Sequence, residues 1–258
     1  MILCKWCNSS TSICEGPLTM SNWKRSFCSG CGAIGYVNDP SLDEINKIYL
    51  TASGNPKHSN EFAFGSTTEK IAKSLLLTSN WHPTEDFCLD YGSGGGSFSK
   101  VLLEMGAKVV VFEPFGENPK VPGLEWYRFW DEVKPNVSFG WVFLVEVVEH
   151  LLNPVEELIN IRKRLLPGGK LLITTPNSKG WRAKFDGIKW REVQNPTHIN
   201  LFSEKALRIC LKMAGFNDVC RILRPVNYNA EGISRLMLSA TQVLGIDGGL
   251  RMIAKVDS

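Results

Sequence analysis

The sequence has no stretch long enough to cross a bilayer. Its most apolar run, Trp141 to Val148, is broken by Glu146, and a spanning helix needs roughly 20 apolar residues. Behind Met1-Ile2-Leu3-Cys4-Lys5 there is no long apolar stretch and no small-residue cleavage site. No secretory leader is legible there, and the expected compartment is cytoplasmic. Repeats and low-complexity tracts are missing as well. Charge of one sign is not in excess: 29 basic residues face 26 acidic ones, a formal +3, too little to argue for a partner by bulk electrostatics. Histidine is scarce, with only His58, His82, His150 and His198, so imidazole chemistry has few places to occur.

What remains is an ordinary globular composition, 43% hydrophobic and 21% charged over 258 residues. That is enough for one sizeable core and a small appendage. The pattern divides the chain. Residues 1–50 are cysteine-rich and weakly periodic. Residues 51–65 open on Thr-Ala-Ser-Gly-Asn-Pro and read as a linker. Residues 66–258 form the main domain.

In the first part, Cys4-x-x-Cys7 and Cys28-x-x-Cys31 are two knuckles separated by twenty residues. Two thiolate pairs close a tetrahedral zinc site, and in a reducing compartment this spacing reads as metal before disulfide. Gly30 and Gly32 permit the tight second knuckle. Cys4, Cys7, Cys28 and Cys31 are thus expected to hold a structural zinc in a ribbon-like module too small to fold without it. The other cysteines, Cys14, Cys88, Cys210 and Cys220, read as ordinary buried or free thiols.

From Ser66 on, apolar β-type runs alternate with helical segments. Strands are expected at 87–91, 108–113, 124–129, 140–145, 170–175, 218–223 and 250–256. Helices are expected near 68–78, 97–105, 155–165 and 203–214, with Pro167-Gly168-Gly169 stopping the third and Ser203 capping the fourth. Nearly continuous apolar strands alternating with helices predict an α/β fold. The expectation is a Rossmann-like, mostly parallel seven-stranded sheet with helices on both faces.

Asp90-Tyr91-Gly92-Ser93-Gly94-Gly95-Gly96-Ser97 leaves the first of these strands and opens a helix. Glycines there let the backbone turn sharply and approach a ligand. Ser97 stands where a dinucleotide fingerprint wants its third glycine. The carboxylate of Asp90 would repel a pyrophosphate but suits a cationic ligand. Glu113 closes the next strand about twenty residues on, where an acid accepts ribose hydroxyls. A nicotinamide site or an unliganded turn are the alternatives.

Asp-x-Gly-x-Gly-x-Gly followed by an acid at the end of the next strand resembles the cofactor site of class I S-adenosylmethionine methyltransferases. The run Glu146-Val147-Val148-Glu149-His150-Leu151, then Leu166-Pro167-Gly168-Gly169-Lys170 and Thr175-Pro176-Asn177, and later Pro196-Thr197-His198, is similar to the ubiquinone-biosynthesis type of O-methyltransferase. The resemblance covers roughly residues 66–258. It implies S-adenosylmethionine as cofactor, held by Asp90, Gly92, Gly94, Gly96 and Glu113. The family often has aspartate just before the fourth strand, where this chain has Gly140. Asp131, after the third strand, is the candidate for the adenine edge instead. No Asn/Asp-Pro-Pro-Tyr/Phe and no Pro-Cys follows the fourth strand, which disfavours amino-group and cytosine C5 chemistry and leaves oxygen as the leading acceptor atom.

Methyl transfer needs positioning above all, and a hydroxyl acceptor also needs a route for its proton. His150 and His198 fall on loops at carboxyl ends of strands, where open α/β sheets bind ligands, and are the candidate bases. Glu146, Glu149 and His150 share one face if the segment is helical. With His198 they would suit a second divalent cation. The loop from Lys179 to Arg191 interleaves basic residues with Trp181, Phe185 and Trp190, and is expected to cover the acceptor. Basic and aromatic groups point to an acidic or sugar-like small acceptor, such as a nucleotide-linked sugar. The alternative is RNA, against which the near-neutral first 50 residues count. A binding protein that merely keeps the fold is the third reading.

Overall fold

The computed structural model describes residues 2–14, 24–45, 47, 66–114, 121–228 and 231–257. The expected linker, His58 and the side chain of Cys14 lie outside the described residues.

The main domain opens with α1 (Ser66–Thr78). β4 (Phe87–Tyr91) and β5 (Lys108–Phe112) flank α2 (Ser97–Glu104). β6 (Glu125–Tyr127) and β7 (Phe139–Val145) follow. α3 (Pro154–Arg164) starts on a proline that needs no N–H partner, with Glu156 and Glu157 in its first turn and Arg162, Lys163 and Arg164 in its last, matching the helix dipole at both ends. β8 (Leu165–Pro176), α6 (Glu204–Met213), β10 (Asp218–Arg221), α7 (Gly232–Val243) and β11 (Gly249–Lys255) complete it. The seven strands lie in the order β10-β11-β8-β7-β4-β5-β6. All neighbours are parallel except β11, which runs against both β10 and β8.

Strand alternation builds two cores. Leu89, Tyr91, Val110, Phe112, Val142, Leu144, Leu171 and Ile173 pack with Leu158 and Ile161 of α3 and with Leu207 and Leu211 of α6. Their neighbours Cys88, Val109, Val111, Trp141, Phe143 and Leu172 pack with Ala72, Leu75 and Leu76 of α1 and with Val101 and Leu102 of α2. Both faces of each central strand are covered, which is why these strands read as unbroken apolar runs. Two details differ from the sequence reading. α3 ends at Arg164 with Leu165 extended, so β8 begins before the Pro167-Gly168-Gly169 turn rather than after it. α7 was not foreseen. Its Ile233, Leu236, Met237 and Ala240 repeat at helical spacing, a signal the sequence reading passed over, and the structure leaves Ile233, Leu236 and Met237 exposed.

A second, antiparallel sheet contains β1 (Thr11–Cys14), β2 (Arg25–Cys28) and β3 (Ile34–Tyr36). Its fourth strand, β9 (Asn200–Leu201), comes from the far end of the main domain and pairs Ile34 with Leu201 and Gly35 with Asn200. The segment before β9 holds two short helices, α4 (Trp181–Asp186) and α5 (Arg191–Gln194). Ile34, Ala183, Trp190, Val193 and Leu201 bury one another there.

Candidate active site and cysteine cluster

The glycine loop sits between β4 and α2. Gly92, Gly94 and Gly96 have φ of 76°, 53° and 83°, a region that only glycine enters without strain. A Cβ on Gly92 would come within 2.6 Å of Val147 Cγ2, so this turn has room for nothing larger. Glu113 reaches across from the end of β5, and its Oε2 accepts the Gly94 N–H at 2.8 Å. Asp90 is 2% exposed and turns inward, accepting from the Ser99 hydroxyl and backbone N–H in the first turn of α2. Burial, offset in part by Ser99, raises its carboxyl to about 7, with Glu113 adding repulsion. Ser93 Oγ is buried in the loop with no hydrogen-bond partner among the described residues.

Beside Glu113, Tyr91, Phe112 and Trp130 form an aromatic wall. Tyr91 stacks on Phe112 at 4.8 Å and Phe112 on Trp130 at 4.4 Å. The Tyr91 hydroxyl and the Trp130 indole N–H both donate to Glu157 Oε2, at 2.8 and 2.9 Å. Sequence reasoning nominated Asp131 here. Asp131 stays exposed on the turn, and it is its neighbour Trp130 that packs inward. The aromatic density of Trp126-Tyr127-Arg128-Phe129-Trp130 was the available signal.

At the end of β7 the chain does not continue as an α-helix. Glu146 has φ of 56°, and its N–H donates to Thr174 O and Oγ1, at 3.0 and 3.1 Å. A single 3₁₀ turn follows at Val148–His150. The helical face expected of Glu146, Glu149 and His150 is therefore broken. Glu146 opens to solvent but stands within walls of protein, which raise its carboxyl, with Thr174 opposing and Glu192 reinforcing the shift. Glu149 is buried. Its Oε2 accepts from Thr175 Oγ1 at 2.8 Å, while Oε1 has no hydrogen-bond partner among the described residues. Burial and then the nearby Glu146 push its carboxyl well above the ordinary range.

Glu149, His150 and His198 do converge: one ligand atom from each lies within 4.8 Å of the others. The two imidazoles meet edge to face at 4.7 Å. His150 Nδ1 faces the Thr197 carbonyl at 3.0 Å. Since a carbonyl only accepts, Nδ1 carries the proton and the lone pair is on Nε2, which lies 4.0 Å from Glu149 Oε1. Burial lowers His150 to about 4. His198 is lowered to about 2 by burial, then by His150, Arg25 and Arg191. Both rings are neutral at pH 7. Glu192 Oε2 stands 3.3 Å from His198 Nδ1. No sequence signal pointed to Glu192, because it lies in α5, inside a segment that reads as a loop. The segment 179–191, expected to cover the acceptor, is mixed. Trp190 is buried, while Trp181 and Phe185 are exposed at 44% and 86%.

The four knuckle cysteines are together as expected. Cys4 and Cys31 sulfurs are 3.6 Å apart, and those of Cys7 and Cys28 are 3.4 Å apart. All four lie within 4.8 Å of one another. Disulfides, at about 2.05 Å, are excluded at these separations. Cys88 and Cys210 are buried free thiols and Cys220 is an exposed one.

With this geometry in view, the comparisons with known proteins are consistent. A family described as "Methyltransferase domain" matches residues 60–221. The chain belongs to that family. The ubiquinone biosynthesis O-methyltransferase of Cereibacter sphaeroides is 29% identical over 161 residues, covering 55% of this chain and 65% of the relative. That of Paramagnetospirillum magneticum is 32% identical over 114 residues, covering 40% and 46%. The chain thus matches less than two thirds of these relatives' length. Among solved structures, the 1,6-didemethyltoxoflavin N1-methyltransferase of Burkholderia thailandensis, solved with 1,6-didemethyltoxoflavin and S-adenosylhomocysteine bound, superposes with a TM-score of 0.57 at 14% identity. It covers 93% of this chain and 98% of that one. An S-adenosylmethionine-dependent methyltransferase from Archaeoglobus fulgidus superposes at 0.53 and 17%, covering 76% and 96%. These two likenesses establish the class I methyltransferase fold.

Proposed function

We propose that the chain transfers a methyl group from S-adenosylmethionine to an oxygen of a small biosynthetic acceptor, sugar-like or acidic. The observation that carries the reading is the glycine loop: three left-handed glycines, tied through Gly94 to the Glu113 carboxylate and through Asp90 to the first turn of α2. The donor set fits the cofactor. Glu113 suits ribose hydroxyls and its carboxylate at the loop disfavours a pyrophosphate, and the buried Ser93 hydroxyl seeks a partner. When bound, S-adenosylmethionine supplies an electrophilic methyl on a sulfonium. The protein's part is to orient the acceptor and receive its proton. His150 Nε2 bears the lone pair that takes that proton, with Thr197 fixing the tautomer.

Glu149, His150 and His198 also fit a divalent cation. Glu149 Oε1 is buried without a hydrogen-bond partner among the described residues. A cation there would lower the acceptor hydroxyl's pKa. Zinc fits the cysteine cluster, since four sulfurs at ~2.3 Å from a tetrahedral metal stand about 3.8 Å apart.

Calorimetric titration with S-adenosylhomocysteine, on protein whose metal has been counted by mass spectrometry, tests the reading. One-to-one binding with one zinc per chain is expected. A second divalent ion per chain makes the Glu149 cluster a metal centre. Absence of binding overturns the methyltransferase reading. Labelled-methyl transfer to nucleotide sugars, with RNA as the competing substrate, then decides the acceptor class.

A further inference from the structure

Arg25 is wholly buried in β2, yet among the described residues no carboxylate pairs with it. All its partners are neutral. Nε donates to Val193 O at 3.1 Å, Nη1 to His198 O at 2.7 Å and Nη2 to Asn195 O at 2.9 Å. Its guanidinium lies 3.8 Å from the centroid of the Tyr36 ring. A guanidinium on carbonyls alone is an expensive way to hold a fold together, because the desolvated charge has no opposite charge to offset it. What the planar fork supplies is geometry: donors at fixed angles lock three carbonyls of one turn at once.

That turn carries His198. The module grips it at further points. The Tyr36 hydroxyl donates to Pro196 O at 2.9 Å, and β3 pairs with β9 directly after it. The carbonyls of residues 193, 195, 196 and 198 therefore all accept from module side chains. The carbonyl of Thr197, between them, faces His150 Nδ1. On the other side, Ile199 N–H donates to Glu149 O at 2.8 Å. Fixing this turn fixes both imidazoles.

We propose that Arg25 is a positioning residue for the acceptor site. Through the 193–198 turn it sets the place of His198 and the tautomer of His150, and the cysteine module is the scaffold that delivers it. The proposal rests on the reading of the two histidines as acceptor-site groups. It assigns the N-terminal module a role beyond its own folding.

The test uses the full chain with labelled histidine. Nitrogen-15 spectra report each ring's tautomer, and exposed His82 serves as the internal control. Amide exchange is followed over 193–201 and, for comparison, over 87–113. In Arg25→Met, the single His150 tautomer is expected to give way to a mixture. Exchange over 193–201 should rise about tenfold or more, with 87–113 unchanged. Metal content and S-adenosylhomocysteine affinity should stay at wild-type values. Arg25→Lys, which keeps the charge but offers no fork, should fall between. Tyr36→Phe, which removes the hydroxyl's contacts with Pro196 and with Arg25 but leaves the guanidinium in place, should raise exchange roughly two- to threefold in the same turn. An unchanged His150 tautomer and unchanged exchange in Arg25→Met would overturn the proposal. So would loss of metal, ligand binding and protection together in all three variants, because Arg25 would then merely hold the fold. If wild-type protein fails to bind S-adenosylhomocysteine, the methyltransferase reading falls while the histidine spectra still decide the role of Arg25.

Discussion

At the scale of single residues, Asp90 and Glu113 divide the work of the glycine loop. Glu113 faces the loop and holds Gly94, while Asp90 faces inward and holds α2. Replacing either by alanine is expected to weaken S-adenosylhomocysteine binding about tenfold or more, 1.4 kcal/mol or above, with metal content unchanged. Calorimetry on both variants checks this, and wild-type affinity in both would remove these acids from the site. Asp90 also makes a pH prediction. In the free protein it keeps its proton up to about pH 7, whereas the unfolded chain loses it near 4. Across that window the unfolded state binds fewer protons than the folded one. Stability contributed by protonated Asp90 is therefore full below about pH 4 and lost as pH rises toward 7. The loss is on the order of a few kcal/mol. Urea unfolding at pH 4.5 and 7.5 should show it in the wild type, and Asp90→Asn should flatten it.

At the scale of elements, what was legible is what repeats locally. The central strands β4, β5, β7 and β8 stood out because burial on both faces makes each an apolar run, whereas β6 and β10 are only partly buried. The glycine loop stood out because its backbone demands glycine, and the knuckles because two thiolate pairs keep fixed spacing. The rest depends on distant partners. β9 is two residues long and pairs with a strand from the other end of the chain, so no window of sequence contains its reason. Arg25 looks like any surface arginine until the turn it grips is in place. Glu146 interrupts the expected helix because its N–H is taken by Thr174 in the next strand. Ser203 was read correctly as the cap of α6. It accepts from Ala206 N–H at 3.1 Å and donates to Cys31 O. It thus joins the helix to the second knuckle. Ser203→Ala should cost about 1–2 kcal/mol, at the upper end for a cap, measurable by denaturant unfolding. Chelating the zinc proposed for the cysteine cluster should act on the same seam. Amide exchange over 193–201 is expected to rise before that of β4 and β5, and equal rises would place the module outside the acceptor side.

At the scale of the molecule, the cysteine module and the methyltransferase core share packing as well as a strand. Trp190 is 4% exposed in the cluster formed by Ile34, Ala183, Val193 and Leu201. It belongs to the 179–191 segment, yet it buries against Ile34 of the module. Trp190→Ala should destabilise the protein by about 3–5 kcal/mol. It should do so in one cooperative transition that includes loss of metal, followed by calorimetry and a zinc-sensitive dye. Two separate transitions would show the module to be independent. None of the described helices is long and apolar enough to cross a membrane.

The shared strand has a consequence for how the chain is made. Arg25 and the carbonyl of His198 that it binds are 173 positions apart. The knuckles are complete once Cys31 leaves the ribosome, but β3 must wait for β9. At ~5–20 residues per second that delay is roughly ten to thirty seconds. During it β3 is an unpaired edge, short enough at three residues to be a poor template for a neighbouring chain. The module thus completes its sheet only after most of the main domain has been synthesised.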